Sequence, residues 1–329
     1  MNTRARNTAD TDDSLATRLP GSFAEAWRTW LGYRTCGSRP LRLSTRADYE
    51  SIYRRHVGPH LGDLPLDHID GLVIARLVVA LSSAGNLSAK RISNVLVPVR
   101  ACLRWHHRMG AFAPDPSPWF DTSAPPADER RILTIEQIER LIAATPAPHR
   151  AFIATAAYTG LRAGELRALT WADVNLDART LSVTKTCYRN HPQPSTKTGH
   201  DRIVPVPPHL AEILAVWHKA RAPTGLPDTL VFPGPNGGPL DLDTFRTRVF
   251  KPAVRRAGLP EGLRIHDLRH TSASLYLQSG ATVREVMEIH GWRQMQTALR
   301  YLHTGDALGA AAERLSEQRR CAIGSAEQC

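Results

Sequence analysis

Ala113-Pro-Asp-Pro-Ser-Pro-Trp-Phe-Asp-Thr-Ser-Ala-Pro-Pro126 decides how the chain is divided. Five of these fourteen residues are proline. Proline fixes φ and removes a backbone donor, so this stretch suits neither a helix nor an inner strand and reads as a stiff, extended spacer. A chain of 329 residues is long for one domain and comfortable for two. The spacer, taken as residues 113–128, therefore separates a first domain at 21–112 from a second at 129–305. Residues 1–20 are polar, mixed in charge and aperiodic, and read as a disordered tail. Residues 306–329 read as a C-terminal helix and tail.

Upstream of the spacer the apolar pattern is helical. Phe23, Ala26, Trp27 and Trp30 recur at i, i+3, i+4 and i+7. Ser44 or Thr45 suits the N-cap of a second helix containing Tyr49, Ile52 and Tyr53. Asp70 suits the cap of a third over Leu72–Leu81, and Ser88 that of a fourth running through Ile92, Val95, Val99 and Leu103. Pro98 inside the fourth predicts a kink or a break. Four helices make a small all-α domain.

Downstream, Thr134 and Gln137 form a capping-box pattern ahead of the stripe Ile135, Ile138, Leu141 and Ile142. Further helices are expected at Ala151–Ala157, Leu161–Leu169, Pro208–Ala220, Leu242–Ala257, Asp267–Gln278, Val283–Ile289, Thr297–Tyr301 and Asp306–Gln318. Thr180–Lys185 alternates and is β-branched, Arg202–Val206 reads as its partner strand, and a loop holding Lys197 lies between them. The fold class is mainly α with a small antiparallel β-sheet.

The formal charge is +11. Residues 21–125 carry 13 Lys and Arg against 8 Asp and Glu, a balance of +5; the tail is neutral and the remainder carries +6. Two basic domains fit two surfaces for a polyanion, nucleic acid first, although many soluble proteins are basic for solubility alone. The arginine excess suits phosphate forks and equally suits GC-rich coding. Five widely spaced cysteines without a C-x-x-C pair indicate neither zinc nor a disulfide framework. Residues 1–20 have no apolar core and do not read as a signal peptide. The most apolar stretch, Leu72–Leu81, is too short to span a membrane and contains Arg76. No metal, cofactor or membrane is expected, and the cytoplasm is the expected compartment.

Four segments hold groups suited to phosphodiester chemistry, which needs a nucleophile, positive charge for the transition state and a proton for the departing oxygen. In Tyr158-Thr-Gly-Leu-Arg-Ala-Gly-Glu-Leu166, Arg162 falls in the first turn of a helix, with Glu165 spaced to orient it. In His266-Asp-Leu-Arg-His-Thr271, His266 and Arg269 share a helical face, a pairing suited to phosphate oxygens and proton transfer. His266 and His270 lack the glutamate of a metal-binding H-E-x-x-H. Tyr301 follows Trp292 by nine residues, and Lys197 lies in Ser195-Thr-Lys-Thr-Gly-His-Asp-Arg202. Taken singly, these read equally well as a surface Arg–Glu pair, a basic turn, a packing tyrosine and a solvated lysine.

In this order the segments resemble the tyrosine recombinase (phage integrase) family. T-G-L-R-x-x-E-L is matched at Thr159–Leu166, H-x-L-R-H at His266–His270, and the final glycine–His/Trp–tyrosine box at Gly291, Trp292 and Tyr301. The resemblance covers nearly all of 130–305, and residues 22–120 are similar to the family's helical core-binding domain. It implies a catalytic set of Arg162, Lys197, His266, Arg269, Trp292 and Tyr301. Arg162 and Arg269 would bind the scissile phosphate, and Lys197 would donate a proton to the leaving 5′-oxygen. His266 would position phosphate and act as acid or base toward the tyrosine, while Trp292 would donate its indole N–H. Tyr301 would form a 3′-phosphotyrosyl link without ATP or metal. Many relatives read L-G-H where this chain reads His290-Gly291-Trp292, which leaves His290 on a normally apolar position without an assigned role. The implied partners are double-stranded recombination sites and three further copies of the chain in a synaptic tetramer, with a monomer or weak oligomer off DNA. The 306–318 segment would dock on its own core or on a neighbouring protomer. A relaxing enzyme of the type IB topoisomerase kind and a non-catalytic DNA-binding regulator are the alternatives. Lys90, Arg91 and Arg100 are candidate DNA contacts in the first domain.

Overall fold

The computed structural model describes residues 21–37, 40–120, 131–188, 201–221 and 228–301, and the backbone alone for 191–193. The expected tail, the Pro-rich segment from 121 to 128, Lys197 and the 306–318 helix lie outside the described residues. The chain forms two compact units, Met1–Asp128 and Glu129–Cys329.

The first unit is all helix among its described residues: α1 (Phe23–Cys36), α2 (Leu43–Ile52), α3 (Gly58–Leu61), α4 (Gly71–Ser83) and α5 (Ala89–Arg108). Ser22, Asp70 and Ser88 cap α1, α4 and α5 by accepting from Glu25, Val73 and Arg91 backbone N–H groups. The second helix departs from expectation. It starts at Leu43, before Ser44, with Arg42 as an N-cap that makes no side-chain bond. Its end widens into a π turn, Tyr53–Val57, that runs into α3. Pro98 does not break α5, which runs through it for twenty residues. Pro98 and its neighbour Val99 are both buried, so packing offsets the lost hydrogen bond. Phe23, Trp27, Trp30, Val95, Val99 and Leu103 fill this unit's core.

The second unit contains α6 (Ile135–Ala144), α7 (Ala147–Thr159), α8 (Ala163–Ala168), β1 (Val174–Asn175), β2 (Thr180–Val183), β3 (Thr186–Tyr188), β4 (His191–Gln193), β5 (Arg202–Pro205) and α9 (Pro208–Arg221). It continues with α10 (Leu242–Phe245), α11 (Lys251–Arg256), α12 (Ile265–Gln278), α13 (Val283–His290) and α14 (Met295–Leu299). Thr134 and Gln137 close the capping box that starts α6. The helix expected at Leu242–Ala257 is interrupted by a π turn at Arg246–Phe250, just before Pro252.

The sheet runs β1-β2-β5, all antiparallel. Its register sets Leu181 opposite Val204, and both are fully buried. Exposed Ser182 points the other way, as period-two alternation requires. The expected β2–β5 pair is present. The intervening segment is not all loop, because β3 and β4 form a second antiparallel pair with Cys187 opposite Pro192. In a two-stranded pair every strand is an edge, which tolerates proline. Phe152, Ile153, Leu166, Leu181, Phe250 and Leu268 belong to one core joining helices to sheet. Each such side chain contributes about 1.5–3 kcal/mol on burial.

Candidate active site

The candidate side chains converge around α8, α12 and the end of α13. Arg162 is the N-cap of α8, one residue short of the helical first turn expected for it, with extended backbone. Glu165 reaches back, its Oε2 accepting from the Arg162 backbone N–H at 2.8 Å and its Oε1 from Nη1 at 2.9 Å. Arg162 stays about one-fifth exposed, while Glu165 is buried.

Glu165 has a second partner. Arg202, the first residue of β5, donates Nη1 to Oε1 at 3.1 Å and Nη2 to Oε2 at 2.7 Å, and its Nε donates to the Ile289 carbonyl at 2.9 Å. Burial alone raises a carboxyl pKa; here Arg202's hydrogen bonds and charge, then Arg162's, outweigh it and hold Glu165 at about 2. The fork matches a carboxylate bidentately. It ties β5 to Arg162's helix and to the end of α13.

Two glycines make close approaches. Gly160 ends α7 in the left-handed conformation at φ 63°, and a Cβ there would lie 2.5 Å from His290 Nε2. Gly164 lets α8 lie against β3, since a Cβ would meet Thr186 Oγ1 at 2.6 Å and the Cys187 carbonyl at 3.1 Å.

Arg269 is buried in α12. Its Nη1 donates to the Gly160 carbonyl at 2.5 Å and its Nη2 to the His290 carbonyl. Burial, then the charge of Arg162, lowers it to about 9, which leaves it cationic at neutral pH. The guanidinium carbon sits 5.6 Å from the Trp292 ring centroid, a cation–π contact.

His266 is exposed. Loss of water around part of its ring, then the charge of Arg269, lowers its pKa, and Arg162 adds to the effect. Tyr301 is only 4% exposed. Its ring stacks on Trp292 at 5.2 Å and 9°, and its hydroxyl pairs with Nδ1 of His270. The structure therefore brings together Arg162, Glu165, His266, Arg269, Trp292 and Tyr301. Lys197 lies outside the described residues, although β5 begins five residues after it.

His290 is fully buried behind this group. Its Nδ1 pairs with the Val286 carbonyl at 3.0 Å, and its ring lies 4.9 Å from Trp292. Burial, then Arg269, lowers its imidazole to about 3. The position expected to be apolar thus holds a histidine kept neutral.

Two residues at the centre were not singled out from sequence. His270 stands one turn after His266, a spacing considered only for metal binding; the same i, i+4 relation puts both on one face. Arg202 had no local signal, because its partners lie 37 and 87 residues away.

In the first unit, Lys90 and Arg91 are exposed at the start of α5, but Arg100 is half-buried and its Nε has no hydrogen-bond partner among the described residues. At 100° per residue Lys90 shares its side of α5 with Asn94, Val97, Arg104 and Arg108, all exposed. Arg100 does not belong to that stripe.

A family model described as the phage integrase family matches residues 131–307. The chain is 30% identical over 247 residues to tyrosine recombinase XerC of Xanthomonas campestris pv. campestris, covering 74% of this chain and 72% of that one. It is 28% identical over 292 residues to a putative prophage phiRv2 integrase of Mycobacterium tuberculosis, covering 86% and 74%. Among solved structures, the Tn1549 transposon integrase in complex with a circular intermediate DNA aligns with a TM-score of 0.74 at 21% identity, over 90% of this chain and all of that one. A lambda integrase tetramer bound to a Holliday junction aligns at 0.67 and 18% identity, over 88% and 83%. At these identities the two structures bear on the fold.

Proposed function

The chain belongs to the phage integrase family and is a tyrosine-type site-specific DNA recombinase; from that premise we propose that Tyr301 is its nucleophile and that Arg162 and Arg269 hold the scissile phosphate. The observation that carries this is that Trp292 stacks on the Tyr301 ring and also lies under the buried Arg269 guanidinium, which feels the charge of the partly exposed Arg162. Tyr301 Oη attacks phosphorus and the bond to the 5′-oxygen breaks. The arginines neutralise charge on the non-bridging oxygens, and exposed His266 adds a further donor. Lys197 supplies the proton to the 5′-oxygen. Trp292 holds the Tyr301 ring by stacking and offers its indole N–H to the phosphate. The phosphodiester energy is kept in the 3′-phosphotyrosyl bond, so rejoining needs no ATP.

Residues 21–112 form the core-binding domain, 113–128 the linker and 129–305 the catalytic domain in this reading, which the two compact units support. The exposed stripe Lys90, Asn94, Val97, Arg104 and Arg108 is the groove- or phosphate-facing side of α5. The substrate is duplex DNA with paired recombination sites. Four copies assemble on two duplexes, as in the lambda integrase tetramer on a Holliday junction, and the free chain is a monomer or weak oligomer. It works at the nucleoid, in the cytoplasm.

The test uses duplexes with randomised cores, each interrupted by one nick, so that the cleaved fragment diffuses away. Wild-type protein is expected to form a denaturant-resistant adduct with a subset of them. Tyr301→Phe abolishes the adduct, and Arg162→Ala or Arg269→Ala slows it by about 100-fold or more. An adduct that survives in Tyr301→Phe sinks the nucleophile assignment. Relaxation of a plasmid carrying the recovered site, without exchange between two copies of it, sinks site-specific exchange.

A further inference from the structure

His266 and His270 share one side of α12, their rings edge to face with centroids 4.9 Å apart. Their surroundings differ. His266 is exposed beside the charges of Arg269 and Arg162. His270 is half-buried, and its Nδ1 is hydrogen-bonded to the Tyr301 hydroxyl, with the two rings 5.6 Å apart and inclined at 30°. Trp292 stacks on the same tyrosine ring, so the hydroxyl is held against this imidazole.

We propose that His270, not His266, is the base that takes the proton of Tyr301, and that the two histidines divide the reaction between nucleophile and phosphate. This rests on the reading of Tyr301 as the nucleophile. With the ring hydrogen on Nε2, Nδ1 presents a lone pair and the phenol O–H donates to it. As the Oη–phosphorus bond forms, the phenolic proton passes to Nδ1. The phosphorus–5′-oxygen bond breaks with its electron pair on oxygen, which takes its proton from Lys197. The products are a 3′-phosphotyrosine, a 5′-hydroxyl, an imidazolium at His270 and a neutral amine at Lys197. Rejoining reverses each transfer, and His270 returns the proton to the departing phenolate.

A base must lie within hydrogen-bond reach of the proton it removes. His270 meets that requirement in the DNA-free protein. A phenol with an ordinary pKa of roughly 10 is a poor nucleophile unless its proton is removed during attack. The role makes His270 a catalytic residue, because it touches a reacting atom.

The experiment measures single-turnover adduct formation on the nicked duplex recovered with wild-type protein. Two variants separate chemistry from positioning. His270→Ala removes the contact. His270→Asn keeps an oxygen able to accept the Tyr301 hydrogen bond but is not basic. Both are expected to form the adduct about 100-fold or more slowly while binding the duplex as wild type does. Added imidazole speeds His270→Ala and leaves wild type unchanged. A duplex with sulfur in place of the bridging 5′-oxygen needs no proton at the leaving group; it is expected to rescue Lys197→Ala and to leave both His270 variants slow. Wild-type rates in His270→Asn reduce the contact to positioning and overturn the proposal, as does rescue of His270→Ala by the bridging sulfur. Absence of any adduct with wild-type protein, or its persistence in Tyr301→Phe, instead overturns the assignment of Tyr301, and this inference with it.

Discussion

At His290 one residue exchanges solvation for packing. It is fully buried, its Nδ1 is satisfied by Val286, and its Nε2 has no hydrogen-bond partner among the described residues. Its backbone carbonyl also accepts from Arg269, so the residue stands directly behind that guanidinium. An imidazolium here faces both burial and the charge of Arg269. The folded pKa, at about 3, lies below the unfolded value of about 6.5. The unfolded chain therefore binds a proton first as pH falls, and stability is lost from about pH 6.5 down toward 3. His290→Leu is expected to remove this component and shift the acid-unfolding midpoint downward, read by circular dichroism. An unchanged midpoint refutes the assignment. Glu165 acts in a lower window. With its pKa held at about 2, it contributes stability present above its unfolded value and lost as pH falls toward 2.

Between elements, contact depends on glycine at Gly164. α8 has six residues, too few for a stable isolated helix, and is held by what it touches. One contact is the Glu165–Arg202 fork and another is the approach to β3. Gly164→Ala places a methyl against Thr186 Oγ1 and the Cys187 carbonyl. The expected loss is about 1–3 kcal/mol of unfolding free energy, measured by denaturant titration. Thr186→Ala in the same chain is expected to recover part of it, because Oγ1 is the nearest atom. Additive losses in that double-mutant cycle mean the two groups do not collide. Pro98 signals a break by its missing N–H, yet α5 continues because both flanks of the helix pack into the first unit's core. β3 and β4 lacked the long alternation that marks β2, so only their pairing reveals them.

For the whole molecule, the +11 charge gives salt-dependent attraction to a phosphate backbone. Each phosphate contact contributes a slope of about 0.9 to the dependence of log affinity on log salt. Lys90→Ala and Arg104→Ala are each expected to reduce that slope by about 1, and Arg100→Ala to leave it unchanged because Arg100 is half-buried. Filter binding of a duplex across a salt series measures this. The sequence alone determined the fold class, the helical period of both units, the β2–β5 pairing and the boxes around Arg162, His266 and Tyr301. These are legible because capping, periodicity and box spacing are local and survive as patterns in a single string. Only the tertiary structure decided which histidine meets Tyr301, that Arg202 completes the Glu165 cluster, and that Arg100 leaves the exposed stripe of α5. Those facts depend on contacts between segments up to 87 residues apart and on the turn of each helix about its axis, and no short-range pattern encodes either.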